Sequence, residues 1–146
     1  MDQTRSATAV WQGDLASGTG VVGGATGLFS DLPVSWPSRT EQPGGRTSPE
    51  ELLAAAHASC YCMALSGNLG RAGHTAEQIE TRADVTFAKG ESGWSVASSH
   101  ITVRARVPGM DDSAFQAAAE AAKDGCPISR ALKGNVQLSV DATLEG

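Results

Sequence analysis

The chain carries three cysteines, Cys60, Cys62 and Cys126, and the surroundings of two of them suggest chemistry. Cys126 stands in Gly125-Cys126-Pro127. Pro127 suits the first position of a helix, where its missing N–H costs nothing, so Cys126 becomes the N-cap. A thiol there faces free N–H groups and the helix dipole, which favour thiolate and lower its pKa. A packing cysteine in a turn fits the same place. Cys60 lies about three turns inside a different predicted helix and has no such local help. It can be an inert small hydrophobe. To act as a thiolate it needs a cation from elsewhere. Arg39 is a candidate, because its loop leads into the same helix, and Glu50 is a candidate to hold the guanidinium fork.

His57, Cys60 and Cys62 form H-x-x-C-x-C, and His/Cys clusters can bind zinc. Cys60 and Cys62, however, point about 200° apart around a helix of 3.6 residues per turn. Such a site would need Cys126 and a further ligand, so no metal site is assigned. Cys62 reads as core and His57 as a packed helix residue that can lie near the Cys60 thiol. His74 and His100 read as loop and surface residues, and Arg46 as a solvated loop charge.

The element that must position these groups is Ser48 to Ser66, S-P-E-E-L-L-A-A-A-H-A-S-C-Y-C-M-A-L-S. Ser48 is a good N-cap, Pro49 fits the first helical position, and Glu51 completes an S-x-x-E capping box. Glu50 and Glu51 lie in the first turn, where the dipole favours negative charge. Gly67 is the expected stop. Beyond Glu51 the helix has almost no polar face, which predicts burial on all sides by the rest of the chain or by a second subunit.

Around it, Ala7–Gln12, Gly18–Val22 and Leu28–Trp36 read as a small antiparallel meander, and Pro37 to Ser48 as a polar Pro/Gly-rich loop. Thr81 to Phe87 alternates, Gly90 to Gly93 turns, and Trp94 to Val107 returns as a strand. A second helix is expected over Asp112–Lys123, capped by Asp111 or Asp112 and stopped by Gly125. A short third helix runs to Gly134, and a last strand covers Val136 to Ala142. The fold class is α+β, antiparallel sheets wrapped around a buried central helix, in one domain over 1–146.

Composition narrows the function. The net charge is −5 and no Lys/Arg run is present, so nucleic acid and anionic membranes are poor partners. No apolar run approaches the roughly 20 residues that span a bilayer. The N-terminus has no apolar signal core, which points to the cytoplasm. Three cysteines are too few for a disulfide scaffold; in a reducing compartment a pair is more often catalytic or metal-binding.

The central run, followed by D-G-C-P-I-S-R-A-L-K, closely resembles the osmotically inducible protein C (OsmC) family, whose sister group is the organic hydroperoxide resistance (Ohr) proteins. The match extends to A-V-W-Q-G-D-L-A-S-G-T-G, S-R-T-E and V-P-G-M-D, nearly the whole chain. H-A-S-C and S-R-T-E lean towards OsmC proper. The resemblance implies a thiol-dependent peroxidase acting on organic hydroperoxides, built as an intertwined homodimer. It implies Cys60 as the attacking cysteine, Cys126 as the resolving one that closes a disulfide with it, Arg39 as the active-site arginine and Glu50 as its orienting carboxylate. It implies no metal or flavin cofactor, and a dithiol reductant such as a lipoylated protein. Cys62 departs from the pattern, since many relatives carry serine there. A non-catalytic ligand-binding stress protein and a general thiol–disulfide oxidoreductase are the rival readings.

Overall fold

The computed structural model describes residues 1–145, in two compact units, Met1–Leu52 and the described residues from Leu53 onward. The first unit is the expected meander. Strands β1 (Ala7–Gln12), β2 (Thr19–Gly24) and β3 (Leu32–Val34) form an antiparallel sheet in the order β1-β2-β3. Gly20 is required by packing: a Cβ there would stand 2.8 Å from both the Trp11 ring and the Val10 carbonyl oxygen. The third strand is shorter than Leu28–Trp36. Asp31 adopts φ 53, which reverses the chain before Leu32. Pro33 sits on this edge strand, where its missing N–H breaks no ladder.

The stretch read as loop contains a short helix, α1 (Pro37–Thr40). Two serines build it. The Ser38 N–H donates to Ser35 Oγ and the Ser35 N–H to Ser38 Oγ, each at 3.2 Å. The Ser38 hydroxyl also reaches the Thr47 carbonyl at 2.9 Å, while the Thr47 N–H donates to the Pro33 carbonyl at 2.9 Å. The segment is thus tied at both ends, and Arg39 projects from a fixed turn.

Helix α2 (Pro49–Arg71) starts as expected, with Ser48 Oγ accepting from the Glu51 N–H at 3.1 Å. The Glu51 carboxylate is engaged by the Thr47 hydroxyl. The helix runs past Gly67 and Gly70 to Arg71, and the φ of 85 at Gly73 just beyond it lets the His74 N–H bond the Leu69 carbonyl at 2.9 Å. A glycine costs a helix only about 1 kcal/mol, and the burial of Leu65 and Leu69 on either side of Gly67 outweighs that.

The second unit holds β4 (Gln78–Gly90), β5 (Gly93–Arg106), α3 (Asp112–Gly125), α4 (Pro127–Leu132) and β6 (Gln137–Glu145). β4 and β5 are an antiparallel hairpin closed at Gly90 and Gly93. β6 joins β5 in parallel, so this sheet, ordered β4-β5-β6, is mixed rather than antiparallel throughout. The reason is topological. α3 and α4 carry the chain back along the sheet, and a strand entered after such a crossover runs the same way as the one before it.

The core of this unit is a stripe of α2, Tyr61, Leu65 and Leu69, packed with Ile101, Val103 and Ala105 of β5, then Val107, and with Phe115 and Ala122 of α3. The Tyr61 hydroxyl is satisfied by the Ala119 carbonyl at 2.9 Å. The all-round burial expected for α2 is not present in the single chain. Positions 57, 61, 65 and 69 are buried, whereas Ala55, Ser59, Met63 and Ser66 are exposed, Met63 by 70%. Residues four apart share one face, and only that face meets the β5 and α3 side chains.

Candidate active site

Two of the three thiols meet. Cys60, in the middle of α2, and Cys126 lie with their sulfurs 2.9 Å apart, and both are unbonded thiols. That is within about 1 Å of the S–S bond length. Cys126 is fully buried and Cys60 half-buried, so Cys60 is the sulfur that solvent or substrate can reach.

The backbone holds Cys126 firmly because it serves two helices at once. It is the C-cap of α3, its N–H donating to the Ala122 carbonyl at 2.9 Å, and the N-cap of α4, its carbonyl accepting from Arg130 N–H at 2.9 Å. Pro127 at the first position of α4 forces the break between the two. The Cys126 side chain makes no capping bond, and the N–H of Ile128, in the first turn of α4, acts on the Cys60 sulfur. Burial pushes the Cys60 thiol up, and the Ile128 N–H works against that rise.

His57 is one turn before Cys60 on α2 and is completely buried. Its Nδ1 meets Ser99 Oγ of β5 at 2.6 Å and its Nε2 meets Ser129 Oγ of α4 at 2.8 Å. Burial lowers its pKa, so the ring is neutral, one nitrogen donating and the other accepting. With both nitrogens engaged, His57 is the packed residue expected from the sequence. Neither serine was singled out there; Ser129, one turn beyond Cys126, was the one position whose spacing could have been noticed.

Cys62 points elsewhere, as its position two residues on requires. Its thiol donates to Thr81 Oγ1 of β4 at 3.1 Å. His100 is a partly exposed residue of β5, hydrogen-bonded to Ser139 and Asp141 of β6. Among the described residues no three His, Cys, Asp or Glu side chains gather as metal ligands.

In the first unit, Arg39 Nε donates to Glu50 at 2.9 and 3.3 Å, one bond to each carboxylate oxygen. The pairing proposed on sequence grounds is therefore formed. Glu50 is only 7% exposed, and the Arg39 guanidinium lies 5.5 Å from the centre of the Trp36 ring. A carboxylate on one side and an aromatic face on the other fix the plane of the guanidinium. Arg39 also lines a cavity of about 320 Å³ whose other walls include Trp11, Leu15, Val34, Trp36 and Pro49. Arg39 is the one charged residue of that lining. Neither tryptophan was read as part of a site.

Comparison with known proteins places the chain in a family. The family described as OsmC-like protein matches residues 42–141. Peroxiredoxin OsmC of Escherichia coli K12 is 41% identical over 130 residues, covering 89% of this chain and 90% of the relative. The organic hydroperoxide resistance protein OhrA of Bacillus subtilis is 31% identical over 119 residues, 79% of each chain. Among solved structures, OhrB of Bacillus subtilis superposes with a TM-score of 0.70 at 25% identity, over 94% of this chain and 98% of that one. An OsmC-like protein of Mycoplasma pneumoniae reaches 0.76 at 14% identity over the full length of both, a likeness of fold alone. On the family match and the 41% identity, the chain belongs to the OsmC-like protein family.

Proposed function

We propose that this protein is a cysteine-based peroxidase that reduces organic hydroperoxides to alcohols in defence against oxidative or osmotic stress. The observation that carries the reading is the 2.9 Å approach of a half-buried Cys60 to a buried Cys126 in a chain whose relatives are named peroxiredoxin and organic hydroperoxide resistance protein.

The Cys60 thiolate attacks the outer oxygen of ROOH. The O–O bond breaks, the oxygen becomes Cys60–SOH, and RO⁻ takes a proton to leave as ROH. The family resemblance assigns Arg39 as the cation that favours the thiolate and the growing alkoxide charge, with Glu50 holding the guanidinium. Cys60–SOH then condenses with Cys126–SH, giving the Cys60–Cys126 disulfide and water. A dithiol returns both cysteines to thiols and is itself oxidised to a disulfide; the family resemblance favours a lipoylated protein. Neither half of the cycle draws on a metal or flavin. The cavity beside Arg39, lined mostly by apolar side chains with Ser35 and the guanidinium as its polar groups, suits an organic R group better than water or hydrogen peroxide.

A peroxidase assay with cumene, tert-butyl and hydrogen peroxide, each with dihydrolipoamide or glutathione as donor, tests this. Faster turnover of the organic peroxides with dihydrolipoamide is expected. Disulfide reduction with no peroxide consumption would make the protein a thiol–disulfide oxidoreductase, and no redox activity at all would leave a ligand-binding protein.

The active form is a homodimer. The exposed apolar side chains Val10, Trp11, Leu28, Phe29 and Met63 favour burial by a second copy. Sedimentation at micromolar concentration should give twice the chain mass, with an interface well above the ~1,600 Å² of ordinary complexes; a stable monomer would refute it. Among the described residues no helix is long and apolar enough to cross a membrane; a cytoplasmic location is the reading the sequence favours.

A further inference from the structure

The peroxidase cycle gives His57, Ser99 and Ser129 no part, yet all three side chains are completely buried and joined through one imidazole. Their placement relative to the thiols is regular. His57 precedes Cys60 by one turn of α2, and Ser129 follows Cys126 by one turn of α4. Residues three apart on a helix are neighbours on its surface. The two helices are therefore joined by two rungs, His57 Nε2 to Ser129 Oγ at 2.8 Å and Cys60 Sγ to Cys126 Sγ at 2.9 Å. The opposite ring nitrogen, bonded to Ser99 Oγ at 2.6 Å, anchors the imidazole to β5.

Only one of these rungs changes in the cycle. The sulfurs are unbonded in the reduced state, separated by an added oxygen in the sulfenic acid, and bonded at about 2.05 Å in the disulfide. The His57–Ser129 rung takes no part in those bond changes. It lies where no water reaches it, so breaking it leaves a buried polar group unpaired. α4 has only six residues and little helical stability of its own.

We propose that the His57–Ser129 hydrogen bond is a strut that holds α4, and with it Cys126, in register with Cys60 so that the sulfenic acid is resolved quickly. His57 and Ser129 are positioning residues for the second chemical step, Cys60–SOH + Cys126–SH → Cys60–S–S–Cys126 + H2O. The proposal rests on the peroxidase reading of the two thiols.

The test separates the two steps. One equivalent of cumene hydroperoxide is mixed with the full-length reduced protein. Peroxide loss times the attack by Cys60, and disulfide formation, with dimedone trapping of the sulfenic acid, times resolution. In Ser129→Ala the ratio of resolving to attack rate should fall roughly 10- to 100-fold, the scale expected for a misplacement of about 1 Å. Ser99→Ala removes an equal hydrogen bond from the same ring, but on the β5 side, and should lower the ratio much less. Two further variants guard against misfolding in the serine mutants. His57→Gln, whose longer amide can reach towards Ser129, should retain fast resolution. His57→Asn, whose shorter amide reaches only towards Ser99, should lose it. Equal ratios in Ser129→Ala and the unmodified protein, equal falls in both serine variants, or indistinguishable Gln and Asn variants would each overturn the strut. Failure of the unmodified protein to form the Cys60–Cys126 disulfide would instead overturn the peroxidase reading beneath it.

Discussion

Cys60→Ser should abolish hydroperoxide consumption, whereas Cys126→Ser should consume one equivalent and stop with a sulfenic acid on Cys60. The asymmetry follows from access and from the direction of the local dipoles. Cys126 is fully buried and Cys60 is not, so a peroxide approaching the pair meets Cys60 first. The Ile128 N–H acts on the Cys60 sulfur and favours its thiolate. Without Cys126, the sulfenic acid at Cys60 has no thiol 2.9 Å away and persists long enough to be trapped. Cys62, turned towards Thr81, should stay reduced, and Cys62→Ser should keep most of the activity. Mass spectrometry after one equivalent of organic hydroperoxide checks all three. A Cys60–Cys126 disulfide is expected; a Cys60–Cys62 link, or a sulfenic acid first on Cys126, would reverse the assignment.

Arg39→Ala should slow peroxide reduction on the order of 100-fold, the usual loss when one preorganised electrostatic donor is removed. Burial pushes the Cys60 thiol up, and a cation brought beside it would work against that rise. Removing that cation should raise the pH at which the peroxide rate reaches half its maximum. Glu50→Ala should be milder, because the carboxylate orients the guanidinium without supplying charge to the reaction. Arg39→Lys keeps the charge but loses the planar guanidinium whose Nε–H both Glu50 oxygens accept, and should recover only part of the rate. A thermal melt belongs beside each assay, since a Glu50 that is 7% exposed loses its partner in Arg39→Ala. Unchanged pH–rate profiles in Arg39→Ala would remove Arg39 from the site.

Much of this was legible in the residues because it is local chemistry. The start of α2 follows from Ser48, Pro49 and Glu51, the α3–α4 break from Cys126-Pro127, and the β4–β5 hairpin from alternation about Gly90 and Gly93. Each depends on groups within a few residues of one another, so spacing alone reveals it. The Arg39–Glu50 pair was reachable for a similar reason, since a short turn and a helix start lie close along the chain. Where a decision turned on distant groups, local signals misled or fell silent. Gly67 reads as a stop, yet α2 continues because Leu65 and Leu69 bury against β5 and α3. Nothing in Val136 to Ala142 says that β6 pairs in parallel; the α3–α4 crossover decides it.

The same division runs through the site. By itself the sequence determined that a thiol would cap a short helix after Gly125 and that a second would sit mid-helix without local support, because capping is a property of neighbouring residues. Only the tertiary structure decided that the Ile128 N–H acts on the Cys60 sulfur, and that His57 bridges Ser99 and Ser129. Those contacts join residues 42 to 72 positions apart. No periodicity or capping rule reaches that far, since they arise only when buried side chains from separate elements must satisfy one another's polar groups.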